Sequence, residues 1–297
     1  MSVLKAGVAG AGVFGAHHAA KYAALPGVRL AAVYDHHRSH AEAVAARHGA
    51  EAFDDLEAFL QAVEAVTVAS PADTHVEVAL AALHAGRHAY VEKPLAIFGG
   101  DARLLADTAR ERGLVLACGH QERLVFEAMG LFAAPERPIR IEAVRRGTPS
   151  PRNRDVSCVL DLMIHDLDLG LALGGSAVSV EGEGGFDEAV AEVAFEGGAS
   201  GRFAVSRLAG RRERSMRLVY RSGVVEIDFL APSFSDRAGL GLDPDFAASP
   251  AGRDPLGASV AAFVAAVRGE RARPAVTGEE GARAVELAVR IEAAAGI

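Results

Sequence analysis

The first 120 residues alternate between two patterns of apolar and polar positions. Short apolar runs without strict alternation predict strands that are buried on both faces, and the stretches between them have the spacing of helices. Regular alternation of strands and helices is typical of a parallel sheet. The predicted strands are Val3–Ala9, Leu30–Tyr34, Glu51–Phe53, Ala65–Ala69, His88–Val91 and Leu114–Cys118. The predicted helices include one that ends at Ala24, followed by Ala41–Arg47, Asp54–Val63, Thr74–Ala85 and Asp101–Arg112.

The pattern changes after Gly119, where longer strands with partial alternation and glycine-containing turns begin. Four strand-like runs between Val178 and Phe229 have the spacing of hairpins, which is typical of an antiparallel sheet. The other predicted elements are a strand at Ile139–Arg146, a helix at Val159–Leu173, a loop over 231–255, and helices at Leu256–Arg268 and Glu279–Ala295. We therefore predict an α/β chain with a doubly wound parallel sheet in residues 1–119. Residues 120–297 are predicted to form an α+β domain with a mainly antiparallel open sheet, used for substrate binding and oligomerisation.

Composition narrows the class of protein. A length of 297 residues fits about two domains, and a net charge of −8 argues against a nucleic-acid partner, which requires a cationic surface. No apolar run approaches the roughly 18 residues of a membrane helix, and the N-terminus lacks the pattern of a signal peptide. Cys118 and Cys158 are too few for a disulfide framework and fit a reducing compartment. We expect a soluble cytoplasmic protein.

A glycine cluster follows the first predicted strand and opens the first helix. It reads Gly10-Ala-Gly12-Val13-Phe14-Gly15, and Asp35 ends the second strand twenty residues later. In this context the glycines permit a tight turn and close approach of a pyrophosphate, and the acid accepts from the adenine ribose. The alternative is a plain glycine turn with a helix-capping aspartate. The pattern predicts a Rossmann domain that binds NAD, because the carboxylate of Asp35 repels a 2′-phosphate; Arg38 keeps NADP as the minority alternative.

Two groups of polar residues are candidates for acid–base chemistry. Glu92-Lys93-Pro94 follows a strand at the carboxyl edge of the parallel sheet, where ligands bind in open α/β folds, although Lys93 could equally be a surface lysine. Asp161 and His165 are four residues apart in an apolar helix, so a carboxylate could orient an imidazole there. The alternative for this pair is a solvated polar face.

A metal site is a weaker interpretation of the same region. Five residues could in principle contribute to a zinc site: Cys118, His120, Cys158, Asp161 and His165. The sequence has neither CxxC nor HExxH spacing, and single cysteines in apolar runs usually pack as small hydrophobic residues. We predict no metal.

These motifs, in this order, resemble the Gfo/Idh/MocA oxidoreductase family over essentially the whole chain. The resemblance adds a turn that contains Ser70, Pro71 and His75, and it implies that this turn and Glu92-Lys93 contribute to cofactor binding. It also implies reversible hydride transfer between a nicotinamide and a carbinol carbon. Lys93 and His165 would hold the reacting hydroxyl, one of them as acid/base, and Asp161 would orient the site; which of the pair takes the proton stays open.

Two longer motifs are similar to the branch of the family that contains UDP-N-acetylglucosamine 3-dehydrogenases. They are Gly119-His120-Gln-Glu122-Arg123 and the stretch from Asp155 to Asp166; the closing Arg273–Gly281 also fits. Arg123 is followed here by Leu124-Val125-Phe126, where that branch usually has Phe-Asn-Pro. The resemblance implies substrate contacts from the following residues: Lys93, His120, Glu122, Arg123, Arg152, Asp161 and His165.

Clustered arginines offer a physical reason for a nucleotide sugar, because guanidinium groups suit a diphosphate. They are Arg145, Arg146, Arg152, Arg154, Arg211, Arg212 and Arg214, any of which could instead be solvated. We expect an NAD-dependent dehydrogenase of a sugar secondary alcohol, with a nucleotide sugar as first candidate. The alternatives are reduction of an imine, oxidation of a free sugar or cyclitol, and a catalytically silent NAD-binding regulator. A homodimer or homotetramer through the second sheet is expected, because an open sheet needs its face covered.

Overall fold

The computed structural model describes residues 3–149 and 155–297. The chain divides into two compact units. The first contains the described residues up to Gln121 together with Asp254–Ala282, and the second contains the described part of Glu122–Arg253 together with Arg283–Ile297. The boundary predicted at residue 119 lies next to the first point at which the chain passes from one unit to the other, after Gln121. The chain passes between the units three times, whereas a single boundary would require one passage.

The helices, in chain order, are α1 (Val13–Ala24), α2 (Arg38–Ala45), α3 (Leu56–Gln61), α4 (His75–His84), α5 (Gly99–Glu111), α6 (Glu122–Met129), α7 (Ile164–Gly174), α8 (Pro250–Arg253), α9 (Pro255–Val267) and α10 (Gly278–Ala295). A π-helical turn, Val159–Met163, directly precedes α7. Helix α6 was not predicted. Its buried face consists of Arg123, Leu124, Phe126 and Met129, so a buried arginine interrupts the apolar periodicity that would have indicated a helix.

Six parallel strands form the sheet of the first unit. They are β1 (Leu4–Ala9), β2 (Val28–Tyr34), β3 (Glu51–Phe53), β4 (Ala65–Val68), β5 (His88–Val91) and β6 (Leu116–Cys118), in the order β3-β2-β1-β4-β5-β6. This is the order of a dinucleotide-binding Rossmann sheet. The strand cores are mostly Ala and Val with almost no exposure, because helices cover both faces. The predicted parallel α/β domain is confirmed.

Helix α9 belongs to the first unit because it packs on the parallel sheet. The hydroxyl of Tyr90 in β5 lies 3.0 Å from Oγ of Ser259, and the ring of Tyr90 meets Phe263 edge-on at 5.8 Å. At the start of α9, Asp254 accepts from the backbone N–H of Gly257 at 3.0 Å and pairs with Lys21 of α1 at 2.7 Å. These contacts hold a segment far along the chain against elements formed near its start.

Part of the β6 edge of this sheet is covered by the segment that directly precedes α10. The N–H of Cys118 in β6 donates to the carbonyl of Val276 at 3.1 Å, and Ala117 forms an isolated antiparallel bridge with Thr277. An unpaired strand edge exposes backbone donors and acceptors. The segment before α10 therefore satisfies part of that edge.

Seven strands form the sheet of the second unit. They are β7 (Arg140–Arg146), β8 (Ala177–Gly184), β9 (Glu188–Phe195), β10 (Ser200–Ser206), β11 (Glu213–Val219), β12 (Val224–Asp228) and β13 (Ser233–Asp236). Their order is β13-β12-β11-β7-β10-β9-β8, and all pairs are antiparallel except β7 with β10. The predicted α+β fold class with a mainly antiparallel sheet is confirmed.

Three details of this sheet were predicted wrongly. The stretch from Val178 to Phe229 holds five strands rather than four, and part of the predicted loop over 231–255 forms β13. Strand β13 has only four residues and lies at the sheet edge beside β12, so its sequence is too short and polar to show a period. The β10–β11 connection is also not a hairpin, because β7 lies between these strands.

The inner face of this sheet packs on α7. Gly170 and Gly174 of α7 leave room for the rings of Phe203 and Phe195, which an added Cβ would approach to 2.8 Å. Along β9 and β10 the residues alternate between buried and partly exposed, as a sheet with one covered face requires. Within the described residues, no helix is long and apolar enough to cross a membrane.

Candidate active site and cofactor site

The glycine loop connects β1 to α1, as predicted. Gly10 has φ +97°, and a Cβ there would lie 2.5 Å from the backbone nitrogen of Ser70; a Cβ at Gly15 would overlap the carbonyl oxygen of Gly10. A Cβ at Gly12, by contrast, would meet no atom of the described residues within 4 Å. Gly10 and Gly15 are therefore required by the backbone packing itself. Gly12 lies beside open space.

The start of α1 is suited to an anion. Gly12 is the N-cap residue, and within the described residues no side chain caps this end of the helix. The first N–H groups of a helix lack intrahelical acceptors and carry a partial positive charge. Val13 and Phe14, both predicted to contact the cofactor, are 61% and 53% exposed in this first turn.

Asp35 holds the glycine loop to the end of β2. Its Oδ2 accepts from the N–H of Ala11 at 2.8 Å, and its Oδ1 accepts from the N–H of His37 at 2.9 Å. A carboxylate has about four acceptor positions, so both oxygens retain capacity for ribose hydroxyls. Arg38, the basis for NADP as the alternative cofactor, donates to Glu42 and Asp54 at 3.0 Å each. Its guanidinium is thus engaged by two carboxylates.

These observations fit NAD. The open space at Gly12 and the uncapped helix start would receive the pyrophosphate, and Asp35 would accept from the adenine ribose. Three histidines follow Asp35 closely in the chain. The ring centroids of His36 and His37 are 4.2 Å apart, and those of His37 and His40 are 5.1 Å apart.

The turn after β4 is joined to the turn after β5 by His75. This side chain is buried, with Nδ1 at 2.8 Å from the carbonyl of Pro94 and Nε2 at 3.0 Å from the carbonyl of Ser70. Burial lowers the pKa of His75, and a neutral imidazole has a single N–H, so it donates to one of the two carbonyls at a time. Pro71 lies in the same turn, where its carbonyl accepts from Oγ1 of Thr74 at 2.8 Å.

Glu92 is a buried anchor for the segment that carries Lys93. One of its oxygens accepts from Nε2 of His18 at 2.7 Å and from Nε2 of Gln121 at 3.2 Å. Burial alone would raise the pKa of Glu92, but the hydrogen bond and charge of His18 and the charge of Lys93 outweigh it and lower the pKa. Lys93 itself is half-buried at the carboxyl end of β5.

Sequence reasoning missed His18. The residue lies on α1 beside Ala19 and Tyr22, on the face that the structure buries completely. A histidine on the apolar stripe of a Rossmann helix is the available signal, since a buried polar side chain needs a partner. Its partner, Glu92, is 74 residues away in the chain.

In the second unit, His165 is held by Glu122. Its Nδ1 lies 3.0 Å from Oε2 of Glu122, whose Oε1 accepts from Arg145 at 3.3 Å. Burial alone would raise the pKa of Glu122, but the charges of His165 and Arg145 and the histidine hydrogen bond lower it well below its usual range. The predicted substrate ligand Glu122 is therefore bonded to the predicted catalytic histidine.

Arg145 anchors this arrangement from below the protein surface. It is 2% exposed and forms two hydrogen bonds with Asp166, Nε to Oδ2 at 3.0 Å and Nη2 to Oδ1 at 2.8 Å. Burial alone would lower the pKa of Arg145, but the carboxylates of Asp166 and Glu122 outweigh it and raise the pKa. Its donors are directed at these carboxylates.

Asp161 lies in the π-helical turn, at 3.6 Å from Nε of Arg207. The prediction that Asp161 orients His165 assumed α-helical spacing, which puts residues four apart on one face. The segment follows an i→i+5 hydrogen-bond pattern instead, and the role of Asp161 beside His165 stays a prediction. The carboxylate bonded to Nδ1 of His165 is that of Glu122.

The start of the π-helical turn is fixed by Ser157. Its Oγ accepts from the N–H groups of Val159 and Leu160 at 3.1 Å and 3.2 Å, and it donates to the carboxylate of Glu292 in α10. Burial raises the pKa of Glu292 even though Ser157 donates to it. The C-terminal helix thus determines where the segment with Asp161 begins.

Two other predicted substrate residues are buried. The Arg123 guanidinium and the Asp168 carboxylate form two hydrogen bonds of 2.8 Å, which join α6 to α7. His120 follows β6 and is 1% exposed. Their contact with substrate stays a prediction, and Arg152 and Arg154 lie outside the described residues.

The described residues contain no group of three or more His, Cys, Asp or Glu side chains arranged to hold a metal ion. Cys118 and Cys158 are buried free thiols, and burial raises the pKa of Cys158 to about 12. Lys93 belongs to the first unit, whereas Asp161 and His165 belong to the second.

A Rossmann sheet with this glycine loop and acid defines a dinucleotide-binding unit, which is followed here by a mixed-sheet unit. The model of the oxidoreductase family with an NAD-binding Rossmann fold, GFO_IDH_MocA, matches residues 4–120. UDP-N-acetylglucosamine 3-dehydrogenase of Acidithiobacillus ferrooxidans is 35% identical over 286 residues, which are 90% of each chain. A crystal form of that enzyme superimposes with a TM-score of 0.90 over 99% of this chain and 98% of its own. Inositol 2-dehydrogenase of Paracoccus denitrificans is 33% identical over 177 residues, 56% of this chain and 53% of its own.

The chain belongs to the Gfo/Idh/MocA oxidoreductase family. The predicted fold class, family, NAD cofactor and enzymatic character are confirmed by these similarities. The assignment of individual site residues remains a prediction that rests on the geometry above.

Proposed function

We propose that the protein oxidises a secondary alcohol of a nucleotide sugar, in the manner of a UDP-N-acetylglucosamine 3-dehydrogenase. The observation that carries this proposal is the similarity to that enzyme along the whole chain, with 35% identity over 90% of both proteins. The inositol dehydrogenase matches little more than half of either chain, so a free cyclitol is the second candidate.

The chemistry assigned to this chain is removal of a hydroxyl proton. We assign the acid–base step to Lys93 or His165: one of them accepts the hydroxyl proton while the carbinol hydrogen leaves as hydride. Asp161, next to Arg207 at 3.6 Å, contributes a charge beside this chemistry. Bound NAD supplies the hydride acceptor at C4 of its nicotinamide.

A diphosphate would find positive charge on β11 and the loop before it. Arg145 and Arg146 are occupied, the first with Asp166 and Glu122 and the second with Glu213 at 2.9 Å. Arg214 is half-buried, and burial lowers its pKa, as do the positive charges of Arg145 and Arg212. Cations concentrated in this way favour an anionic ligand. Arg212 and Arg214 are therefore the proposed diphosphate contacts.

The test compares substrates by the rate of NAD reduction. UDP-N-acetylglucosamine should give the largest kcat/KM among UDP-sugars, free hexoses and inositols, with a 3-keto sugar as product. Arg212→Ala should raise the KM for UDP-sugar about tenfold, the size of one lost charged hydrogen bond, without changing the KM for NAD. Arg110→Ala, at an exposed position of α5 in the first unit, is the matched control. Turnover of inositol with none of any UDP-sugar would refute the proposal.

A second part of the proposal is a homodimer or homotetramer through the outer face of the second sheet. Five residues in register form a row of alternating charge across this face: Glu192, Arg202, Glu142, Arg217 and Glu226. Ion pairs join its members, including Arg202 with Glu192 at 2.9 Å and Arg217 with Glu142 at 3.0 Å. The next row contains the small residues Val190, Ala204 and Val144, next to a groove of about 620 Å³. A face on which charges of both signs are paired, next to a row of small residues, suits packing against another sheet.

We place the protein in the cytoplasm under the same proposal. Its two cysteines are buried free thiols, which supports a reducing compartment.

A further inference from the structure

Both carboxylate oxygens of Glu122, in the second unit, form hydrogen bonds. Its Oε2 is 3.0 Å from Nδ1 of His165, and its Oε1 is 3.3 Å from Nη1 of Arg145. Arg145 is held in turn by two hydrogen bonds to Asp166. Both oxygens of the carboxylate that bonds the imidazole are therefore held in place.

The hydrogen-bond chemistry of this contact decides which nitrogen of His165 carries a proton. An ionised carboxylate can only accept, so the 3.0 Å contact requires N–H at Nδ1. In the neutral ring Nε2 is then the unprotonated nitrogen, with a lone pair available to accept a proton. Ionisation of Glu122 is supported by the low pKa that the charges of His165 and Arg145 produce against the effect of burial.

Other charged groups surround this pair in the second unit. Asp166 follows His165 on the same helix, and Asp161 precedes it in the π-helical turn. Arg145 approaches from β7, and Arg214 from β11 is close enough to interact with Arg145, Glu122 and Asp166. Glu122 contacts the imidazole ring directly, at Nδ1.

We infer that Glu122 is a positioning residue, which fixes the Nδ1–H tautomer of His165 and so makes Nε2 the atom that exchanges a proton with the substrate hydroxyl. In the oxidation direction the O–H bond breaks, its proton goes to Nε2, and the hydride goes to NAD. This inference rests on the proposed function for its kinetic part only, because the tautomer is a property of the protein without substrate.

Glu122→Gln provides a sharp test, because Arg145 has only donors. The new amide must turn its oxygen towards Arg145 and its NH₂ towards Nδ1, which must then accept. The tautomer should change to Nε2–H, and Nε2 can then no longer take a proton. We expect ¹⁵N NMR of histidine-labelled enzyme to show this change, with the His165 signal assigned among the 11 histidines by a His165→Gln variant.

The kinetic readout is a fall in kcat of about 100-fold, the size of a general acid–base contribution, with the KM for NAD unchanged. The acid limb of the pH–rate profile should also move to lower pH, because loss of the Glu122 charge destabilises the imidazolium. Glu122→Asp should keep the Nδ1–H tautomer and recover part of kcat, because its carboxylate can still only accept. If the glutamine variant does not fold, an Nε2–H tautomer in Glu122→Asp would contradict the inference.

Glu127→Gln is the matched control, since Glu127 is an exposed glutamate of the same helix. An Nδ1–H tautomer in folded Glu122→Gln would overturn the inference, and so would a changed tautomer with wild-type kcat. If the protein turns over none of the sugars but the tautomer changes as expected, the proposed function fails while the assignment of the tautomer stands.

Discussion

Several buried or partly buried polar side chains in each unit are joined in hydrogen-bonded pairs. In the first unit His18 bonds Glu92, and in the second Glu122 bonds His165 and Arg123 bonds Asp168. Each pair joins residues at least 43 positions apart in the chain. Because a buried charge without a partner is strongly destabilising, these pairs restrict how strand ends and helices can be arranged.

His18→Leu should lower the free energy of unfolding by about 3 kcal/mol, the typical effect of removing one partner of a buried pair. The variant leaves Glu92 buried without the imidazole that bonds it at 2.7 Å. Urea denaturation measures the change. His17→Leu, at the exposed neighbouring position, should change stability by less than about 0.5 kcal/mol; equal effects of the two variants would contradict the role of the pair.

The effect of His18→Leu should depend on pH. Because the folded pKa of Glu92 lies below its ordinary value of 4.5, the contribution of this carboxylate is fully present above about pH 4.5. It is lost as the pH falls through the lower folded pKa. The difference in unfolding free energy between wild type and variant should therefore narrow below about pH 4.5, and a constant difference down to pH 3 would argue against an ionised Glu92.

Gly12 and Gly15 should differ in what they support. The methyl group added by Gly12→Ala lies more than 4 Å from every described atom, so this variant should fold with wild-type stability. It should lose NAD affinity, because the methyl group occupies the space proposed for the pyrophosphate. Gly15→Ala overlaps the Gly10 carbonyl and should lower the melting temperature itself. Thermal denaturation and NADH titration separate these effects. Tight NADH binding by Gly12→Ala would exclude the proposed pyrophosphate position.

At the scale of elements, α10 begins with a capping box. The hydroxyl of Thr277 accepts from the N–H of Glu280 at 3.2 Å, and the Glu280 carboxylate accepts from the N–H of Thr277 at 2.9 Å. This reciprocal pair satisfies two donors at the helix start. Thr277 also forms the isolated bridge with Ala117 of β6, so the helix cap and the covered sheet edge belong to one segment.

Thr277→Ala should lower the free energy of unfolding by about 1 kcal/mol, the usual effect of losing a helix cap. Thr277→Ser keeps the hydroxyl and serves as the control, with nearly wild-type stability. Chemical denaturation of the three proteins gives the comparison. If the alanine and serine variants are equally stable, the hydroxyl does not cap the helix.

Secondary-structure patterns located most elements but not all. The six strands of the parallel sheet follow from local periodicity and need no tertiary information. Helix α6 was not predicted because Arg123 occupies its buried face. The π-helical turn was not predicted because its residues have the composition of an ordinary α-helix. Both exceptions carry site residues, Glu122 in the first case and Asp161 in the second.

At the scale of the whole molecule, the outer face of the second sheet determines the proposed assembly. Its charged row alternates between Glu and Arg, and exposed pairs of this kind add little to the stability of a single chain. Because the two signs alternate along the row, the same face of a second copy can offer complementary charges to it.

Arg202→Glu combined with Arg217→Glu should dissociate the oligomer, because the row becomes acidic along its length while the fold is retained. Multi-angle light scattering at micromolar concentration measures the mass. Arg110→Glu changes an exposed arginine of α5 in the first unit and should leave the mass unaltered. A wild-type chain that runs as a monomer would exclude the assembly.

The amino-acid sequence by itself determined the Rossmann sheet, the glycine loop with Asp35, and the family, because these depend on periodicity and on motifs contained in short segments. Only the tertiary structure decided that Glu122 bonds Nδ1 of His165, that β7 lies between β10 and β11, and that residues 254–282 join the first unit. These features depend on contacts between distant residues. Such contacts are selected by packing and by pairing of buried charges, which no local pattern encodes.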